Sequence, residues 1–136
     1  MKRITPALIL FLLVFCAFGG PGCADNVSLI VGSRCTLVFT AADTTKSCVM
    51  EEGFPSCEIH SVKLKLPNWT SNATATLFIK DAAGDAIYSQ SAIAESTTTY
   101  IPMSRPIGAG YSIGVLLSVA AGGTGGTATV DVWVYK

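Results

Sequence analysis

The stretch Tyr111–Lys136, YSIGVLLSVAAGGTGGTATVDVWVYK, carries the reading of the fold. Tyr111, Ile113, Val115, Leu117 and Val119 fall on every second position, with Ser112, Gly114 and Ser118 between them. A period of two marks a strand with one buried face, because successive side chains leave opposite sides of the pleat. Leu116 is the exception and adds an apolar group to the other side. Gly122, Gly123, Gly125 and Gly126 then offer the positive φ angles that reverse a chain, and the alternation resumes at Ala128, Val130, Val132 and Val134. The pair predicts a long β-hairpin. An isolated hairpin is marginal in water, so the chain upstream must supply strands that cover its apolar face.

Those strands are legible upstream as short runs between turns. Val27 to Val31 and Cys35 to Thr40 read as two strands separated by Gly32-Ser33, and Ala41 to Ser56 as a long polar connection carrying Glu51-Glu52. From Ile59 to Leu66 the residues Val62, Leu64 and Leu66 face inward while Ser61, Lys63 and Lys65 face water, and Pro67 ends the run. Ala73 to Lys80 and Ala86 to Ser89 form a second predicted hairpin around Asp81-Ala82-Ala83-Gly84-Asp85, with Gly84 at a left-handed position. Thr97 to Ile101 is a β-branched and aromatic strand, followed by a loop with Pro102, Pro106 and Gly108. About eight strands at intervals near ten residues, with no amphipathic helix, predict an all-β antiparallel β-sandwich of jelly-roll or Ig-like type.

The N-terminus predicts export. Lys2-Arg3 is a positive start, Ala7 to Phe18 is an apolar run too short to span a bilayer, and Gly19-Gly20-Pro21-Gly22 breaks it before small residues suited to cleavage. The expected organisation is a signal peptide over residues 1–24 and a single domain over 25–136. A second cut site lies after Gly19, and a lipid on Cys23 is a third option that lacks the usual Leu three residues earlier. Without Lys2 and Arg3, the 9 basic residues fall to 7 against 9 acidic ones. No basic cluster is offered for a nucleic-acid backbone, so nucleic acid is excluded as an expected partner.

Cys23, Cys35, Cys48 and Cys57 suit an oxidising compartment. Cys48 and Cys57 bracket a polar loop and are the expected disulfide, with Cys23 and Cys35 as a possible second pair. Cys35, Cys48, Cys57 and His60 could form a tetrahedral zinc set, but no C-x-x-C pair accompanies them, so no metal is expected. Asp81 and Asp85 supply too few oxygens for calcium and read as turn formers. Asn26, Asn68 and Asn72 stand in N-x-S/T triplets that matter only in a eukaryotic secretory pathway.

No catalytic constellation emerges. His60 is the only histidine, no G-x-S-x-G elbow is present, and the Gly-rich run lies between strands without the Lys of a phosphate loop. No cofactor is expected. Phe78, Leu116, Trp133 and Tyr135 fall on the outer faces of their strands and would form a contact patch if those strands are neighbours. Trp69, Tyr100 and Tyr111, with Trp133, are possible stacking platforms for a ligand such as carbohydrate.

The run Ala75-Thr76-Leu77-Phe78-Ile79-Lys80-Asp81-Ala82-Ala83-Gly84-Asp85-Ala86-Ile87-Tyr88, with Ala92-Ile93-Ala94-Glu95, Arg105-Pro106 and Gly122 to Gly126, resembles small β-sandwich domains of phage virion proteins and of uncharacterised bacterial surface proteins. The resemblance covers about residues 60 to 136 and implies a structural or attachment module without catalytic residues. The leader and the cysteine-bearing segment depart from a virion pattern and favour a cell-envelope or extracellular setting. Two functions follow as expectations. One is a secreted or cell-surface assembly module whose partners are other protein subunits or copies of itself, with the membrane met only during export or through a lipid on Cys23. The other is an extracellular carbohydrate-binding or adhesin-like module.

Overall fold

The structure, a computed structural model, describes residues 30–51 and 57–135. The expected signal peptide, its cleavage point and Cys23 lie outside the described residues. Eight strands follow in order: β1 (Ile30–Phe39), β2 (Thr45–Val49), β3 (Cys57–Lys65), β4 (Ala75–Lys80), β5 (Ala86–Ile93), β6 (Thr98–Ile107), β7 (Ser112–Leu117) and β8 (Gly126–Tyr135). They build two four-stranded antiparallel sheets, one ordered β1-β8-β3-β6 and the other β2-β7-β4-β5. First pairs with last, second with seventh, third with sixth and fourth with fifth, as if one long hairpin had been rolled so that successive pairs alternate between sheets. That order is a jelly roll, the first of the two sandwich types expected.

The two inner faces meet in one core. Leu37, Phe39, Val62, Leu64, Val130 and Val132 come from the first sheet, and Leu77, Ile79, Ile113 and Val115 from the second, all buried. Each such side chain stabilises the fold by roughly 1.5–3 kcal/mol relative to exposure. A bulge at His60 lets both Ile59 and Val62 reach this core although they are three residues apart. Ile59 pairs with Val134 and Ser61 with Trp133, so His60 is an extra residue on its strand.

The predicted C-terminal hairpin is not formed. β7 belongs to the second sheet and β8 to the first, so the two alternating runs face each other across the core. Gly122, Gly123 and Gly125 do take positive φ, at 71°, 50° and 75°. The loop they make reverses the chain and carries it to the opposite sheet. A period of two fixes which face of a strand is apolar but is silent about which strand lies beside it. The β4–β5 hairpin is formed, with Gly84 at φ 92°. Its Asp81 accepts hydrogen bonds from the backbone N–H groups of Ala83 and Asp85, each at 2.9 Å, which is the turn-forming role.

Three other boundaries differ from the sequence reading. Of the first predicted strand, residues 27–29 lie outside the described residues, and Ile30 and Val31 run on into the second as one strand, β1, because Gly32-Ser33 continues in register against Trp133 and Val132. β2 lies inside the segment read as a polar connection. It is a five-residue edge strand whose inward register positions hold Lys46 and Cys48, so it carries no hydrophobic signal. β6 runs through Pro102 and Pro106, which an edge strand tolerates because one row of its backbone groups has no ladder partner.

The disulfide is also corrected. Cys35 pairs with Cys48, with a Cα–Cα distance of 6.0 Å, and not Cys48 with Cys57 or Cys23 with Cys35. Both residues point inward from consecutive edge strands of opposite sheets. They are equidistant from the Ala41-Ala42 turn, since (35 + 48)/2 = 41.5, so the roll brings them face to face. Local loop length gave no hint of this, because the closeness is created by two sheets meeting at an edge.

Candidate functional site

The two outer faces of the sandwich are built from the same pleat but differ in chemistry. On the second sheet, β2, β7 and β4 align in three rows: Thr45, Leu116 and Thr76; Ser47, Gly114 and Phe78; Val49, Ser112 and Lys80. Of these nine positions only Lys80 carries a charge, and its ammonium lies 5.4 Å from the centre of the Phe78 ring. Leu116 and Val49 are exposed, at 44% and 63%. Thr45, Thr76, Phe78, Lys80, Ser89 and Leu116 line a shallow hollow of about 300 Å³.

On the first sheet the rows run across four strands. Gly32, Trp133, Ser61 and Pro102 share one; Arg34, Asp131, Lys63 and Tyr100 the next; Thr36, Thr129, Lys65 and Thr98 the third. Asp131 is largely buried between its neighbours, and Arg34 clasps it with Nε donating to Oδ1 at 2.5 Å and Nη2 to Oδ2 at 3.1 Å. These hydrogen bonds hold the Asp131 carboxyl below the ordinary carboxylate range; burial opposes them, and the charges of Arg34 and Lys63 reinforce them. Lys63 also sits 5.6 Å from the centre of the Tyr100 ring.

On each outer face an aromatic ring stands next to a glycine of the adjacent strand. A Cβ on Gly32 would lie 3.3 Å from Trp133 Nε1, and one on Gly114 would lie 2.7 Å from Phe78 Cζ. The Phe78 ring helps bury the Gly114 backbone, a cross-strand device known to support glycine-bearing sheets, whereas Gly32 stays exposed beside the Nε1 edge of the Trp133 indole. This explains Phe78 on a face otherwise rich in Thr and Ser. The sequence signal was present as an aromatic on an outer position, but its glycine partner is 101 residues away for Trp133, as 133 − 32 shows, and only the register reveals it.

The four outward apolar residues therefore do not share a surface. Phe78 and Leu116 lie on neighbouring strands of the second sheet, and Trp133 and Tyr135 on the first. Trp69 is no stacking platform: it is 2% exposed, packed edge to face against Phe39 with ring centres 5.7 Å apart. Its backbone N–H donates to Glu95 Oε2 at 2.8 Å, which ties the segment after β3 to the β5–β6 turn. Tyr111 is half-buried against the core, and its carbonyl accepts from the Met50 N–H at 2.7 Å. Tyr100 is exposed.

The remaining chemistry-bearing residues are dispersed. His60 is exposed, hydrogen-bonds through Nδ1 with Ser61 Oγ at 2.9 Å and meets the Tyr135 ring edge to face at 5.0 Å. Cys57 opens β3 opposite Ile107 and borders a hollow with Glu58 and Ser104, whose hydroxyl donates to Glu58 Oε1. The zinc set considered from sequence is not assembled, because Cys35 and Cys48 are joined to each other. Among the described residues no group of three or more His, Cys, Asp and Glu side chains is placed to hold a metal ion.

The class defined by this geometry is an all-β jelly-roll sandwich with two chemically distinct outer faces. Neither a protein-family model nor a curated protein matches the sequence. Among solved structures, the chain is similar to one in the acid-stable capsid of Helicobacter pylori bacteriophage KHP30, at 9% identity and a TM-score of 0.46 over 79% of this chain and 92% of that one. It is also similar to the Yersinia pseudotuberculosis-derived mitogen, at 11% identity and a TM-score of 0.43 over 81% of this chain and 89% of that one. A third is PirA, at 12% identity and a TM-score of 0.42, covering 77% and 93%. The resemblance to phage virion β-domains is thus met as a weak likeness of shape.

Proposed function

We propose that the chain is a secreted or cell-surface structural module, without catalytic activity, that assembles with copies of itself. The observation that carries this reading is the outer face of the second sheet. Nine aligned positions on β2, β7 and β4 hold one charge, two exposed aliphatic side chains and a ring, amid Thr, Ser and Gly. Such a face loses little solvation on being covered, and small residues let a second pleated surface approach closely. The Cys35–Cys48 disulfide supports an oxidising setting outside the cytosol.

The test is sedimentation of the full exported chain over a wide concentration range, beside Leu116→Glu. The wild type is expected to associate as concentration rises. Leu116→Glu, which sets a carboxylate at the centre of the top row, is expected to stay monomeric with unchanged thermal stability. A wild type that remains monomeric at the highest concentration, or a variant that associates equally well, removes the proposal.

A further inference from the structure

Formal charge over the whole chain is zero. Asp43, Asp81, Asp85 and Glu95 stand in turns, whereas Arg34, Lys63 and Lys65 stand on the outer face of the first sheet, where Glu58 lies in the next row, opposite Tyr135 and Pro106, and accepts from the Ser104 hydroxyl. Asp131 is the one carboxylate in the three rows described above, and Arg34 already engages it. The rows therefore keep a surplus of two positive charges, three cations less one anion. Directly beside this surplus, Gly32, Ser33, Arg34, Asp131 and Trp133 enclose a shallow hollow of about 300 Å³, with the indole of Trp133 as one wall.

An indole presents a broad apolar face that suits the C–H face of a pyranose ring. Arginine, with Nη1 uninvolved in the Asp131 pair, and the lysines beside it suit carboxylates. Trp133 and Tyr100 are two strands and one row apart, which strand geometry converts to ~12 Å. A single sugar ring does not reach both, whereas an extended chain of sugars does. From the aromatic pair, its spacing across three strands and the cationic surplus of these rows, we infer that the outer face of the first sheet binds an acidic polysaccharide. A uronate-bearing ring is seated against Trp133 over Gly32, and the carboxylates of the chain are directed to Arg34, Lys63 and Lys65. The site lies on the opposite sheet from the assembly face, so it stands or falls independently of that reading.

The test uses the full exported chain in affinity electrophoresis and calorimetry with polygalacturonate, with neutral dextran of similar length and with single-stranded DNA, at low and high salt. Polygalacturonate is expected to bind and to weaken as salt screens the charges. Dextran is expected to bind at least about tenfold more weakly. The surface double substitution Lys63→Gln with Lys65→Gln is expected to lose about tenfold in affinity and most of the salt dependence. Trp133→Ser is expected to lose affinity as well, and Lys80→Gln, on the opposite face, to bind as wild type does. The lysine variants keep the test decisive should Trp133→Ser disturb the packing of β8 against β1. The inference is overturned by absence of polygalacturonate binding at low salt, by lysine variants that bind like wild type, by an equal loss in Lys80→Gln, or by single-stranded DNA binding as tightly as the polysaccharide.

Discussion

Gly114 shows how one residue constrains a sheet. It lies in the middle row of the second sheet between Ser47 and Phe78, and an added Cβ would meet the Lys46 carbonyl oxygen, Ser47 Cβ at 2.6 Å and Phe78 Cζ at 2.7 Å. The Phe78 ring can turn aside, but the backbone of β2 cannot without breaking its ladder. Gly114→Ala is therefore expected to cost roughly 1–3 kcal/mol, the range for forcing extra volume into a packed site, measured by urea denaturation. Gly84→Ala is the control, since nothing lies within 4 Å of its added Cβ and only the left-handed backbone, φ 92°, resists. Its cost should be about 1 kcal/mol. Equal costs at the two positions would show that close approach is not what Gly114 provides. At this scale the sequence was partly legible: the alternation around Gly114 placed it outward, but its two cross-strand neighbours lie 67 and 36 residues away, by 114 − 47 and 114 − 78.

The β1 and β2 edges meet at the disulfide, and β2 depends on it more than any other strand. β2 has five residues, pairs with β7 alone and offers the core only Cys48 and the aliphatic stem of Lys46, whose ammonium turns back to Asp43 at 3.0 Å. Replacing Cys35 and Cys48 together by Ala should lower stability by about 3 kcal/mol, the chain-entropy value for a closed loop near 15 residues. Hydrogen exchange should then rise first in β2, while β3, β4, β7 and β8 stay protected. Uniform loss of protection would instead place the weak point in the central strands. Cys48→Ala with Cys57→Ala, the pair suggested by local spacing, would break the same bridge through Cys48 alone. Cys57→Ala by itself distinguishes the two pairings, because it should leave the Cys35–Cys48 bond intact by mass of the unreduced peptide.

Among the described residues, acid is expected to act through Asp43 and Asp131. The backbone N–H and hydroxyl of Thr40 donate to Asp43 at 2.6 and 2.8 Å, and together with Lys46 they lower its pKa from 3.8 to about 2. Asp131 is lowered by Arg34. A folded pKa below the unfolded one means the unfolded chain takes up protons first as pH falls, so stability is lost with decreasing pH through that window. The contribution is fully present above the ordinary carboxylate range and disappears as pH approaches 2. Thermal midpoints should thus stay level as pH falls from neutral to 5 and drop between about 4 and 2. The double variant Asp43→Asn with Asp131→Asn should show a shallower drop. A drop of unchanged steepness would assign the acid response to other groups.

The apolar rhythm by itself determined that this chain is all-β, that its strands bury one face, and which of its side chains form the core: Val62, Leu64, Leu77, Ile79, Ile113, Val115, Val130 and Val132 were all placed inward. Alternation is a local property of the pleat, so a single strand declares it. The partner of each strand is a different matter. That β7 faces β8 across the core instead of pairing with it, that Cys35 meets Cys48, and that Trp69 is buried while Trp133 stands beside Gly32 were decided by the roll of the tertiary structure. The physical reason is that hydrogen-bond ladders and sheet-to-sheet contacts join residues far apart in the chain, and a period of two is equally compatible with any neighbour that presents its own apolar face.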